Sequence, residues 1–143
     1  MILTDANLLI YAYNESSPEH RAARSWLRTT LAGPEPVAFS WIALMAFARV
    51  ATNKKIFAKP YSTNEAFEVI ENWLSAPGSL ILTPGDKHLA IVKRLANEGP
   101  VYGAALTDAH IAALAIEHGV VLATTDSDFK SFKGLKVLNP IAV

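Results

Sequence analysis

Four aspartates, Asp5, Asp108, Asp126 and Asp128, each stand at the edge of an apolar run. Asp5 follows Met1-Ile2-Leu3-Thr4, Asp126 and Asp128 follow the run from Val120 to Thr125, and Asp108 opens an alanine-rich stretch. In an open α/β sheet, residues at the carboxyl ends of parallel strands and at nearby helix starts point into the crevice where ligands bind. Carboxylates gathered there repel one another unless a cation neutralises them. Oxygen-only ligands select a hard divalent ion, Mg2+ or Mn2+, over zinc. Such a site suits phosphoryl chemistry, in which the metal positions a water and stabilises charge on phosphate oxygens.

Each piece also has a purely structural explanation. Asp5 and Asn7 are both residues that satisfy free amides at a helix start. Thr107-Asp108 reads as a cap that complements the helix dipole. Thr125-Asp126-Ser127-Asp128-Phe129 is a strand followed by Asp-x-Asp, which occurs both as a metal-binding arrangement and as a turn. Phe129 and Phe132 are expected to anchor a short helix back on the core. What raises the metal reading above the caps is conjunction: three segments far apart in sequence all fall at element junctions of one predicted sheet.

The elements that must position them follow from periodicity and punctuation. A first strand ends at Asp5, and Ala6 to Tyr13 is helical. After the break at Asn14 to Pro18, a helix runs to about Leu31 with Ala22, Ala23, Trp26, Leu27 and Leu31 at helical spacing. Val37-Ala38-Phe39 is a short strand, and Ser40 caps a helix carrying Ile42, Leu44, Met45, Phe47 and Val50. Ser62 or Thr63 caps the next helix, which Pro77-Gly78 stops. Leu80-Ile81-Leu82 is a strand; Pro84-Gly85-Asp86 leads into a helix with Leu89, Ile91, Val92 and Leu95. Thr107 caps a helix from Asp108 to His118, closed by Gly119. Val120 to Ala123 and Leu135 to Leu138 are the last strands. Strands alternating with helices predict a parallel α/β sheet covered on both faces.

The chain has 143 residues, no cysteine and a formal net charge of zero. That length fits one domain spanning residues 1–143. Without cysteine there is neither a disulfide framework nor a thiolate metal site. No apolar stretch reaches the roughly 18 residues of a spanning helix, and the first residues lack a signal peptide's features. A cytoplasmic protein without membrane contact is expected. Neutral charge gives no support to a dedicated nucleic-acid binder, although an acidic pocket can offset basic residues elsewhere. High apolarity at zero net charge points to hydrophobic surface covered by a partner.

Taken together, Leu3-Thr4-Asp5-Ala6-Asn7, the stretch Thr107-Asp108-Ala109-His110-Ile111-Ala112-Ala113-Leu114-Ala115, and Thr124-Thr125-Asp126-Ser127-Asp128-Phe129 resemble a PIN domain. More narrowly, they resemble the VapC toxins of bacterial type II toxin–antitoxin modules. The resemblance covers essentially the whole chain, including Trp41 to Thr52 and Gly134 to Pro140. It implies a three-layer α/β/α fold with a mainly parallel sheet. It also implies a Mg2+- or Mn2+-dependent endoribonuclease, a homodimer held inactive by a VapB-like antitoxin, with tRNA or rRNA as substrate. Carried over by position, Asp5, Asp108 and Asp126 are metal-binding catalytic carboxylates and Asp128 is an auxiliary acid. Asn7 and Thr125 orient the cluster by hydrogen bonds. One position departs from the pattern: the family's Glu-Phe-x-Arg-type motif reads Ala46-Phe47-Ala48-Arg49 here. The site then carries one less negative charge.

Arg49 has two readings, a rim group holding a phosphate and a partly buried arginine paired with an acid. Lys54, Lys55 and Lys59 read as an RNA-backbone patch or a solvated loop. His20, His88, His110 and His118 show no metal spacing and read as surface or helix-end residues. Trp26, Trp41 and Trp73 read as core or interface groups. The apolar helices around Trp26, Phe47, Phe67 and Trp73 are candidate dimer and antitoxin surfaces. Two other functions compete: a PIN module that binds RNA or antitoxin without cutting, suggested by Ala46, and an aspartyl phosphatase, whose Asp-x-Asp is poorly matched by Asp5-Ala6-Asn7.

Overall fold

The computed structural model describes residues 1–142; Val143, the last residue of the expected domain, lies outside the described residues. Five short strands form one sheet: β1 (Ile2–Thr4), β2 (Val37–Phe39), β3 (Ser79–Ile81), β4 (Val121–Ala123) and β5 (Val137–Leu138). Their order is β3-β2-β1-β4-β5, and every pairing is parallel. Between them run α1 (Ala6–Tyr13), α2 (His20–Ala32), α3 (Trp41–Ala51), α4 (Thr63–Leu74), α5 (His88–Asn97) and α6 (Ala105–His118), and a 3-10 turn spans Ser127–Ser131.

Side-chain alternation along the strands builds the expected three layers. Leu3, Ala38, Leu80 and Leu122 join the cluster under α5 and α6. Val37, Phe39 and Ile81 join the cluster under α1, α2, α3 and α4. Because both faces are covered, the strands are apolar rather than alternating with polar residues. On the larger side Trp73 is the hub: its ring stacks on Phe39 at 5.9 Å and meets Phe47 and Tyr13 edge-on, while its indole N–H donates to the Tyr13 hydroxyl at 3.3 Å.

Local signals account for most helix ends. Ser40 Oγ accepts from the Ala43 amide, and Ser62, rather than Thr63, caps α4 in a reciprocal pair with Glu65. Gly119, at φ 66°, closes α6 in the left-handed conformation. The start of α6 differs from expectation. The chain turns at Gly103 (φ 61°), and the Leu106 and Thr107 amides already bond back to Gly103 and Ala104. Thr107 is therefore inside the helix, and Asp108 occupies its first turn free of any capping duty. Ala109, Ala112, Ala113 and Ala115 are fully buried, so α6 lies close against the sheet and Asp108 is held near the strand ends.

Candidate metal centre

The strand order reverses direction between β1 and β4, and at such a switch point the carboxyl ends of the strands open a crevice. β1 delivers Asp5 to this point, and β4 delivers Asp126 three residues past its end. The register Thr4 to Ala123, continued by the Asp5 amide donating to the Ala123 carbonyl at 2.9 Å, sets Asp5 beside Thr124.

Thr124 organises the site. Its buried hydroxyl donates to Asp5 Oδ2 at 2.7 Å and accepts from the Asp126 amide at 3.1 Å and Asn7 Nδ2 at 3.3 Å. One donor and two lone pairs are all in use. The other Asp5 oxygen accepts from the Ala6 amide at 2.8 Å, so the carboxylate is an N-cap and a pocket wall at once. These are the orienting bonds assigned above to Thr125. Parallel register places Thr124 across from Asp5 and carries Thr125 one residue past it, half-buried. The pattern offered a Thr-Thr pair, and only the pairing with β1 chooses between them. Asn7 supplies one of these bonds, from α1. Asp126 also accepts from the Asp128 amide at 2.9 Å, so the Asp-x-Asp turn and the acidic cluster coexist in the same residues.

The electrostatics show that the four acids share one field. Burial pushes the Asp5 carboxyl up, Thr124 and Ala6 pull it down through their hydrogen bonds, and Asp126 raises it again by repulsion. Asp108 is likewise raised, first by desolvation and then by Asp126, Asp5 and Asp128. Among the described residues, no three His, Asp or Glu side chains stand in a ready-made coordination shell. The donor set nonetheless fits a hard divalent cation: it is all oxygen, it is crowded with negative charge, and Oδ1 of Asn7, whose side chain bonds Thr124, is buried without a hydrogen-bond partner.

Other expected residues lie elsewhere. Arg49 is exposed, makes no ion pair among the described residues, and borders a shallow patch with Trp41, Ile42, Met45 and Ala46. Its reading as a buried ion-pair partner does not hold. Lys54, Lys55 and Lys59 are exposed, and Lys59 borders a cleft with Tyr13, Glu15 and Glu65 that none of the four aspartates lines. The histidines all make structural bonds; His88 Nε2 and His110 Nδ1 pair at 2.8 Å, a contact that spacing alone did not reveal. Phe47 and Trp73 are core residues and cannot form a partner surface, because the Tyr13–Phe39 cluster encloses them. The helices that carry them still expose other apolar side chains, Trp41, Ile42 and Met45 on α3 and Phe67 on α4.

Comparison with known proteins shows the family of the chain. The PIN domain family model matches residues 2–135. Ribonuclease VapC37 of Mycobacterium tuberculosis is 36% identical over 143 residues, covering 100% of this chain and 99% of that protein. Ribonuclease VapC33 of the same species is 35% identical, with 99% of each covered. Among solved structures, VapBC-1 from nontypeable Haemophilus influenzae superposes with a TM-score of 0.69 at 20% identity, covering 99% of this chain and 100% of that one, a likeness of fold.

Proposed function

Since the chain belongs to the PIN-domain family, and within it to the VapC ribonucleases, we propose that it is a metal-dependent endoribonuclease and the toxin of a type II toxin–antitoxin module. The observation that carries the reading is the gathering of Asp5, Asp108, Asp126 and Asp128 into one repulsive field at the switch point.

In this reading Asp5, Asp108 and Asp126 hold Mg2+ or Mn2+, and Asp128 is an auxiliary acid at the rim. When bound, the ion supplies an acidified water and an electrophilic contact for phosphate oxygens. Thr124 keeps Asp5 in one rotamer, and through its bond to the Asp126 amide it ties the two strand ends into one unit. Asn7 completes that link from α1. Both Asp5 oxygens already accept hydrogen bonds, which favours an oriented ligand over an attacking nucleophile and counts against the phosphatase alternative. With Ala46 in place of the family's acid, the site relies on the remaining carboxylates.

The partners that go with this reading are an RNA substrate, a VapB-like antitoxin and a second copy of the chain. The exposed face of α3 is apolar surface for one of the protein partners. No helix among the described residues is long and apolar enough to cross a membrane, and a cytoplasmic site of action belongs to the same proposal. We also place the whole chain in a single domain.

The test is cleavage of total bacterial RNA by antitoxin-free protein with Mg2+, Mn2+ or EDTA, beside Asp5→Asn. Metal-dependent cuts at defined positions, lost in the folded variant, are expected. Cleavage at the wild-type rate by the variant overturns the site assignment. Absence of cutting by folded wild-type protein with either metal moves the reading to a binding module, with Ala46 as the reason.

A further inference from the structure

Away from the acidic cluster, the end of α1 and the turn after it face the loop between α3 and α4 across a pocket of about 450 Å³. Its aromatic wall is fixed in place. Tyr61 meets Tyr13 and Phe57 edge-on, each at 6.1 Å between ring centres, and Phe57 is buried. The Tyr61 amide donates to the Ala51 carbonyl and the Phe57 amide to the Asn53 carbonyl, both at 2.9 Å, which ties the loop to the C-terminal end of α3. Two carboxylates from different elements stand at the mouth, Glu15 on the turn and Glu65 in the first turn of α4. Neither makes an ion pair among the described residues. The bond that Glu65 accepts from the Ser62 amide lowers its pKa and keeps it ionised. Both acids act on Tyr61: burial raises its phenol first, Tyr13 adds to the rise, and Glu15 and Glu65 add further against the opposing pull of Arg24.

A pocket of this size, with an aromatic wall and a few polar groups, has the dimensions of a small-molecule site. Its charge selects the occupant. Aromatic faces carry negative charge density and attract cations. One ring already does so, since the Arg24 guanidinium lies 5.3 Å from the centre of Tyr13. The two carboxylates repel an anion, and a neutral ligand leaves them unpaired. A dication with a slim apolar middle satisfies both carboxylates and covers the rings between them. We propose that the pocket binds a linear alkyl diamine, with one ammonium at each glutamate and the methylene chain across Tyr13, Phe57 and Tyr61. Lys59 lines the same pocket and makes no ion pair among the described residues, so its ammonium competes with the ligand for the carboxylates. None of the four aspartates lines the pocket, and the inference is independent of the ribonuclease reading.

Titration calorimetry on the full chain in EDTA tests it. The probes are putrescine, butylamine, 1,4-butanediol and N-acetyl-arginine amide. Putrescine is expected to bind with a dissociation constant below about 1 mM. Butylamine should bind about fivefold more weakly, the scale of one partly exposed ion pair, and the uncharged diol should give no binding. The variants are Glu15→Gln, Glu65→Gln, Tyr61→Leu and Lys59→Ala. Glutamine serves as well as glutamate in a capping box, so Glu65→Gln keeps the start of α4. Either glutamine variant should bring putrescine down to the affinity of butylamine. Tyr61→Leu keeps an apolar wall and should weaken putrescine about fivefold through the lost cation–ring contact, while Lys59→Ala should tighten it. No binding of putrescine, equal binding of putrescine and butanediol, glutamine variants that bind putrescine as the wild type does, or weaker binding by Lys59→Ala overturns the site. Tighter binding of N-acetyl-arginine amide than of putrescine overturns the diamine and assigns the pocket to a basic side chain of a partner protein. Failure of the ribonuclease reading appears in RNA cleavage and leaves these titrations unchanged.

Discussion

Replacing Thr124 with valine removes one hydroxyl from the centre of the site and preserves its shape. The hydroxyl is 1% exposed at the residue level and makes three hydrogen bonds, one of them to the Asp5 carboxylate. A hydrogen bond to a charged group contributes about 1.5–3 kcal/mol, and a neutral one about 0.5–1.5 kcal/mol. Water replaces part of the loss at the half-buried Asp126 amide and at Asn7, so the expected destabilisation of Thr124→Val at neutral pH is about 2–4 kcal/mol. The effect depends on pH. Asp5 already has a raised pKa, caused first by desolvation, and the Thr124 hydrogen bond opposes that rise. Without the bond the pKa climbs further. A carboxyl whose folded pKa exceeds its unfolded value loses stability as pH rises from the ordinary carboxylate range through the raised value. The Thr124→Val deficit is therefore smallest in acid, where Asp5 is protonated, and grows through that window to its full size above it. Urea denaturation of metal-free protein at a series of pH values measures this directly, with Thr124→Ser as the control that keeps the hydroxyl. A valine variant within about 0.5 kcal/mol of wild type at every pH, against the charged-bond contribution above, refutes the idea that this hydroxyl holds Asp5.

Three further outcomes follow from the same structure. Asp108→Asn relieves repulsion from Asp126, Asp5 and Asp128, so in EDTA at neutral pH it should melt at a higher temperature than wild type; a lower melting point contradicts the shared field. Mn2+ at a hundredfold excess over its dissociation constant should stabilise wild type by about 2.7 kcal/mol, whereas Asp108→Asn at the same concentration gains clearly less; equal gains remove Asp108 from the metal site. Trp73→Ala, which deletes the hub of the α1–α4 core, should cost about 3–5 kcal/mol in chemical denaturation, and a cost below about 1 kcal/mol speaks against that packing.

The order of elements was legible in the sequence because hydrophobic periodicity and turn residues are local. Apolar triplets such as Val37-Ala38-Phe39, the caps Ser40 and Ser62, and the stop at Gly119 each declare themselves within a few residues. The acids were legible for the same reason: Asp5, Asp108 and Asp126 mark strand ends and a helix start, and the conjunction of the three motifs points to one family. The sequence by itself thus determined the fold class and which carboxylates are candidates. The tertiary structure decided how they are held. Thr124 and Asp5 are 119 residues apart, and only the parallel register of β1 and β4 makes them neighbours and leaves Thr125 outside. The early start of α6 at Ala105 and the burial of Phe47 and Trp73 beside an exposed Trp41 are of the same kind. Each depends on which surfaces meet when distant segments pack, and periodicity records that a residue is apolar, not which partner it finds.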